Sequence, residues 1–254
     1  GYVNPNGAVT SRMTHSHPNM AQIPSSKSPY GPECRSCWTV PKGYKLVGID
    51  ASGLELRMLA HEMNDEAYTN EILNGDIHTA NQKLAGLESR NQAKTFIYAL
   101  NYGAGDAKLG SVVGGNREAG KRLRERFFSS LPSFKTLKDR VSREAASGSI
   151  KALDGRKLTV RSEHAALNTL LQGNGAIVMK QALIYLDNKI KSKGIDAKFV
   201  ANVHDEWQLE VKEDQADAVG RLGVQALRET TCTFKLNCPL DGEYNVGDNW
   251  YETH

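Results

Sequence analysis

The hydrophobic pattern of this chain changes from helical spacing to period two after Gly194. Ahead of it, apolar residues recur at helical spacing, beginning with Leu56, Leu59, Ala60 and Met63 on one face of a helix over Leu54–Met63. Residues 64–150 continue mostly helical with breaks near Gly75, Gly86, Gly103 and Gly114-Gly115, and a long helical stretch over 164–193 is expected to weaken at Gly173 and Gly175. Beyond Gly194 the period becomes two. Phe199–Val203 reads as a strand, His204-Asp205-Glu206 as a polar turn, and Trp207, Leu209 and Val211 alternate with Gln208 and Glu210 as the return strand. A further short strand, Lys45–Ile49, precedes the helical part and ends at Asp50, while residues 1–44 read as irregular structure with short strands. The order strand, helical insertion, helix, hairpin predicts an α+β protein in which a helical subdomain interrupts a small sheet domain.

The charge follows the same division. Residues 81–165 hold 17 Lys and Arg against 8 Asp and Glu, whereas the whole chain is only +3. A basic block beside an acidic remainder suits a protein that grips a polyanion with one part and binds cations with another, and equally suits a solvated helical face. Hydrophobic residues at 39% and charged residues at 24% exclude general disorder. No apolar run approaches the ~20 residues of a membrane span, and the first thirty residues lack a secretory h-region, so a soluble, cytoplasmic protein is expected.

Two carboxylates stand at strand ends. Asp50 follows an apolar strand and Asp205 sits in the hairpin turn. If their strands are neighbours, the pair would offer hard oxygen ligands for Mg²⁺, which keeps positions open for water and phosphate. By themselves, two ordinary turn aspartates are the plainer reading. The segment Ser89–Gly103 is more informative. Ser89 and Gln92 have capping-box spacing and Gly103 suits the C′ position, which predicts a helix over about Arg90–Tyr102. Ala93, Phe96, Ile97 and Leu100 make its core-facing stripe; Arg90, Lys94, Tyr98 and Tyr102 make a second stripe at four-residue spacing. The cations lie toward the N-terminus, where the macrodipole also favours anions. The stripe fits a triphosphate with a sugar and base near the tyrosines, or a solvated cationic face.

Three segments together resemble a known family. Lys45–His61 (KLVGIDASGLELRMLAH), Arg90–Gly103 (RNQAKTFIYALNYG) and Val203–Glu206 (VHDE) are similar to the three polymerase motifs of the family-A, DNA polymerase I-like enzymes, and within them to replicative polymerases of short-tailed phages. The likeness extends through Asn4–Gly7, Gly75–Thr79 and His164–Gln172. It implies a palm over residues 1–62 and 165–254 interrupted by fingers over 63–164, and DNA-templated addition of deoxynucleotides to a primer 3′-OH with two Mg²⁺ ions. In that comparison Asp50, Asp205 and the carbonyl of Ala51 correspond to metal ligands and Glu206 to a supporting acid. His78, Arg90 and Lys94 correspond to contacts with the incoming triphosphate, Lys94 also to the general acid for the departing pyrophosphate. Glu55 corresponds to the position that blocks a ribose 2′-OH, Tyr98 to the one beside the nucleotide sugar, and Tyr102 to the one near the templating base. Arg12, Asn168, Gln172 and His204 correspond to residues in the minor groove at the primer terminus, where acceptors are nearly the same for every correct pair.

Primer–template DNA and dNTP are the partners so implied. A second polypeptide or missing N-terminal region carrying the thumb, with or without an exonuclease-like domain, is also expected, because the family places these ahead of the segment resembling Gly1–Met20. Ser11 stands where the family usually has glycine, and the segment after Ser133 is shorter than in the phage relatives. Cys34, Cys37, Cys232 and Cys238 could in principle make a four-thiolate zinc site, but the second spacing is loose and knuckle glycines are absent, so no zinc is expected. Two alternatives remain: an RNA polymerase with a related palm, disfavoured by Glu55, and a nucleic-acid-binding subunit without activity of its own.

Overall fold

The computed structural model describes residues 1–254. The strands β1 (Tyr2–Asn4) and β2 (Thr14–Ser16) pair as a small ribbon, followed by the short helix α1 (Gly31–Ser36). Then come β3 (Tyr44–Ala51), α2 (Leu54–Met63), α3 (Glu66–Asn74), α4 (Ile77–Ala85), α5 (Arg90–Asn101), α6 (Asp106–Ser111), α7 (Arg117–Ser130) and α8 (Pro132–Ala145). A short antiparallel pair, β4 (Ser149–Lys151) and β5 (Lys157–Thr159), leads into α9 (Ala166–Ser192), β6 (Ala197–Val203), β7 (Glu206–Lys212), α10 (Ala216–Phe234) and β8 (Gly242–Gly247). The chain divides into two compact units, one of residues 1–54 and 175–254, the other of residues 55–174. These boundaries fall inside the helices α2 and α9.

The first unit is built on an antiparallel sheet in the order β6-β7-β3-β8. β3 is one of its two inner strands, all but closed to solvent from Leu46 to Ile49, which a strand of continuous apolar residues requires. α10 lies against this sheet through small residues. A methyl group on Gly223 would stand 2.4 Å from Ile49 Cδ1, and one on Gly220 would run into the Tyr244 ring, so only glycine permits so close an approach. The other face carries Leu46, Val203 and Trp250, with Met20, Ile23 and Val40 packed against them. Because both faces are covered, Gln208 is only 2% exposed, although the alternation of β7 predicted an outward polar residue. Thr253 Oγ1 donates to its Oε1 at 3.1 Å, and Gly48, opposite Gln208 in the register, leaves the room that both side chains occupy.

The second unit is helical around an aromatic core. Phe127 packs edge-on to both Phe96 and Phe134, ring centroids 5.4 Å away in each case, beside the buried Ile97 and Leu109. The glycines expected to weaken the long helix do not, since α9 runs unbroken through both. A Cβ on Gly173 would meet Leu158 Cδ1 at 2.2 Å, so this glycine serves the close approach of β5 and not a break. α10 and β8 were missed in the sequence, although Ala216, Val219, Gly223 and Ala226 recur at helical spacing.

Candidate active site

In the first unit the site grows from strand pairing. β3 and β7 are antiparallel neighbours with Asp50 opposite Glu206, and Ala51 N–H donates to the Asp205 carbonyl at 3.0 Å. The two aspartates are therefore drawn to one end of the sheet. β6 and β7 join through the two residues His204 and Asp205, with His204 at φ 58° and its side chain exposed. Glu206, read as part of the turn, is instead the first residue of β7 and is buried. β8 brings Glu243 opposite Asp50 from the other side. Burial first, then the charges of Asp205, Glu206 and Glu243, push the Asp50 carboxyl up to about 7.

Glu206 is held from several directions. Trp250 Nε1 donates to its Oε1 at 2.8 Å, Gln208 Nε2 donates to the same oxygen, and His254 Nε2 lies 3.2 Å from Oε2. Burial, and then the charge of Arg35, push the His254 imidazole down to about 4. Arg35 lies over the Trp250 ring, 4.4 Å from its centroid. Trp250 and Gln208 were not singled out from sequence, because their function there depends on β7 being covered on both faces.

No three His, Cys, Asp or Glu side chains close into a ready-made metal cage. Mg²⁺ needs none: it binds through one or two carboxylates and keeps water and phosphate for its other positions. Two aspartates and the Ala51 carbonyl are an all-oxygen donor set of the right hardness, and Asp205, Glu206 and Glu243 around Asp50 add negative charge that a cation would relieve. The residues fit the ion. Of the cysteines, Cys34 and Cys37 lie in and at the end of α1, Cys232 in α10 and Cys238 beyond it, with no disulfide among them.

In the second unit α5 forms as its sequence dictates. Ser89 Oγ accepts from Gln92 N–H and Gln92 Oε1 accepts from Ser89 N–H, both at 3.2 Å, completing the capping box. The helix ends one residue before the expected Tyr102, which becomes its C-cap, and Gly103 follows at φ 76°. Ala93, Phe96, Ile97 and Leu100 are buried, while Arg90 and Lys94 are exposed. His78, at the second position of α4, joins them: its ring centroid is 6.3 Å from that of Tyr98. Burial, and then the charges of Arg90 and Lys94, lower its pKa. Asp76, part of the Gly75–Thr79 resemblance but given no role from the sequence, accepts from Arg90 Nε at 2.6 Å. That hydrogen bond, and next the one from Thr79, hold its carboxyl well below the usual range.

The remaining residues fall in their separate units. Glu55 is in the first turn of α2. Gln172 Nε2 donates to the Tyr102 hydroxyl at 3.3 Å, so α9 and the end of α5 are directly joined. The neighbouring Asn168 keeps a buried Oδ1 without a hydrogen-bond partner. In the first unit, Arg12 is half-buried beside Ser11, whose φ is 59° and whose carbonyl accepts from Lys180 Nζ at 2.6 Å.

Comparison with known proteins bears on these two constellations. The family described as DNA polymerase family A matches residues 1–252. DNA-directed DNA polymerases of Enterobacteria phage T3 and Escherichia phage T7 are each 42% identical over 287 aligned residues, covering 100% of this chain and 41% of their own length. DNA polymerase I of Pseudomonas aeruginosa is 31% identical over 97% of the chain and 29% of its own. A solved structure, the POL domain of Pol1 from M. smegmatis in complex with DNA primer-template and dNTP, superposes with a TM-score of 0.89 at 25% identity, covering 98% of this chain and 47% of that one. The chain thus spans about two fifths of the length of the phage relatives it matches.

Proposed function

The chain belongs to DNA polymerase family A, and from that premise we propose that it carries out DNA-templated addition of deoxynucleotides to a primer 3′-OH. The observation that carries the reading is the pairing of β3 with β7, which draws Asp50 and Asp205 to one end of a sheet and pushes the Asp50 carboxyl up to about 7. A half-buried carboxylate beside three like charges is a costly arrangement that a bound cation would relieve. On this reading the first unit corresponds to the palm and the second to the fingers.

Asp50, Asp205 and the Ala51 carbonyl would hold two Mg²⁺ ions, with Glu206 as supporting acid. When bound, such ions lower the pKa of the attacking hydroxyl and neutralise the leaving oxygen. Arg90, Lys94 and His78 bind the triphosphate, and Lys94 gives a proton to the departing pyrophosphate. Phosphoryl transfer depends on positioning and charge neutralisation, and a capped helix bearing two cations supplies both. Tyr98 and Glu55 limit the space beside the sugar. Tyr102 attends the templating base, and Arg12, Asn168, Gln172 and His204 test the primer-terminal pair through donors in its minor groove. Primer–template DNA and dNTP are the proposed partners, and a thumb, on the same or a second polypeptide, shares the grip on the duplex.

Metal-dependent primer extension tests the reading. Deoxynucleotide incorporation should require Mg²⁺ and template, and should disappear in Asp50→Asn. DNA binding without incorporation would favour the inactive-subunit reading, and a preference for ribonucleotides the RNA polymerase one.

A further inference from the structure

Asp76 lies outside the residues assigned so far, yet it touches two of them. Its Oδ1 caps α4 by accepting from the His78 N–H at 3.1 Å, and its Oδ2 accepts from the Thr79 hydroxyl at 2.8 Å and from Arg90 Nε at 2.6 Å. The first turn of α4 thus fixes the carboxylate before Arg90 meets it. With side chains 41% and 53% exposed, the Asp76–Arg90 pair contributes little to stability. Its geometry matters more. A guanidinium has five N–H donors, and a bond through Nε leaves the four at the tip available for bidentate contact with a phosphate. No protein group accepts from the Arg90 Nη atoms. A long, half-exposed arginine otherwise pays rotamer entropy when it binds, and this carboxylate orders it in advance.

We propose that Asp76 is a positioning residue that presents the Arg90 fork to the triphosphate and, by capping α4, sets His78 beside it. This rests on the reading of Arg90 as a triphosphate contact. The test is a cycle of Asp76→Asn, Arg90→Ala and the double variant in the full chain, measured by the KM for dNTP in primer extension and by inhibition with inorganic tripolyphosphate. Asp76→Ser is a second variant: serine still caps a helix but is too short to reach Arg90. Thermal midpoints of both should stay close to the parent's.

Asp76→Asn and Asp76→Ser should each raise the KM for dNTP by about tenfold, the scale of one charge-assisted hydrogen bond, and change kcat by less than about threefold. Tripolyphosphate inhibition should weaken in parallel. In the Arg90→Ala background, the Asp76 substitutions should add less than about twofold. If Arg90→Ala raises both constants and the Asp76 variants raise neither, or if the effects multiply in the double variant, the inference falls while the proposed function stands. A KM that drops in Asp76→Asn would make Asp76 a competitor of the nucleotide and overturn it as well. If Arg90→Ala itself changes neither constant, the triphosphate role of Arg90 falls and takes the inference with it.

Discussion

Burial and the charges of Asp205, Glu206 and Glu243 hold the Asp50 carboxyl near 7, and this has a consequence for stability as well as for chemistry. An acid whose pKa is raised on folding binds its proton more tightly in the folded state. Stability is therefore greatest below the unfolded value near 4 and is lost as pH rises through about 7. In EDTA-treated protein at pH 8, Asp50→Asn should be more stable than the parent by about 2–4 kcal/mol, with the difference vanishing below pH 4; thermal melts across that range measure it. The same variant, and Asp205→Asn, should lose primer extension while retaining DNA binding. Added Mg²⁺ should raise the melting temperature of the parent and not of Asp50→Asn. Ser11 offers a second residue-scale check. At φ 59° a residue with a Cβ costs about 1–2 kcal/mol that glycine avoids, against about 0.5–1 kcal/mol of extra chain entropy, so Ser11→Gly should stabilise by several tenths of a kcal/mol to about 1. A denaturation midpoint that does not rise would refute this.

At the scale of the element, α5 is decided at its two ends. The capping box satisfies orphan N–H groups at Ser89, and Ser89→Ala should cost about 1 kcal/mol. The C-terminal end is stricter. Gly103 has φ 76°, and a Cβ there would lie 1.9 Å from the His164 carbonyl oxygen, a backbone atom that cannot step aside. Gly103→Ala should therefore cost more than about 2 kcal/mol, beyond any gain in helix propensity, and shift Tyr102. Chemical denaturation compares the two. Tyr98 of α5 and Glu55 of α2 together carry a prediction about sugar choice that follows from the proposed function. Glu55→Ala should raise ribonucleotide incorporation, and Tyr98→Phe should reduce acceptance of dideoxynucleotides, because the phenol hydroxyl can replace the missing 3′-OH contact. Competition between nucleotide pairs in primer extension reads both, and unchanged selectivity in both variants would remove α5 from the nucleotide site.

For the whole molecule, the excess of 17 cations over 8 anions in residues 81–165 should appear as salt dependence. Each phosphate neutralised adds close to one unit to the slope of log affinity against log salt, so primer–template binding by this chain alone should fall steeply between low and physiological salt. Processive extension by the isolated chain at physiological salt would contradict the proposal that a thumb shares the grip. No helix is long and apolar enough to cross a membrane. Local chemistry made much of this protein legible in its sequence: α2 over Leu54–Met63 from its apolar stripe, α5 from its caps, the β6–β7 hairpin from its alternation, and the family from three ordered motifs. These depend on residues near one another in the chain. Contacts distant in sequence were decided only by folding. The cover over Gln208 comes from Thr253, the clamp on Glu206 from Trp250, the continuity of α9 through Gly173 from its packing against Leu158, and the bond from Arg90 to Asp76 from the crossing of α4 and α5. A glycine that breaks one helix permits close packing in another, and a polar residue drawn outward by alternation is buried when a second layer satisfies its hydrogen bonds; the difference lies in the neighbour, which only the tertiary structure supplies.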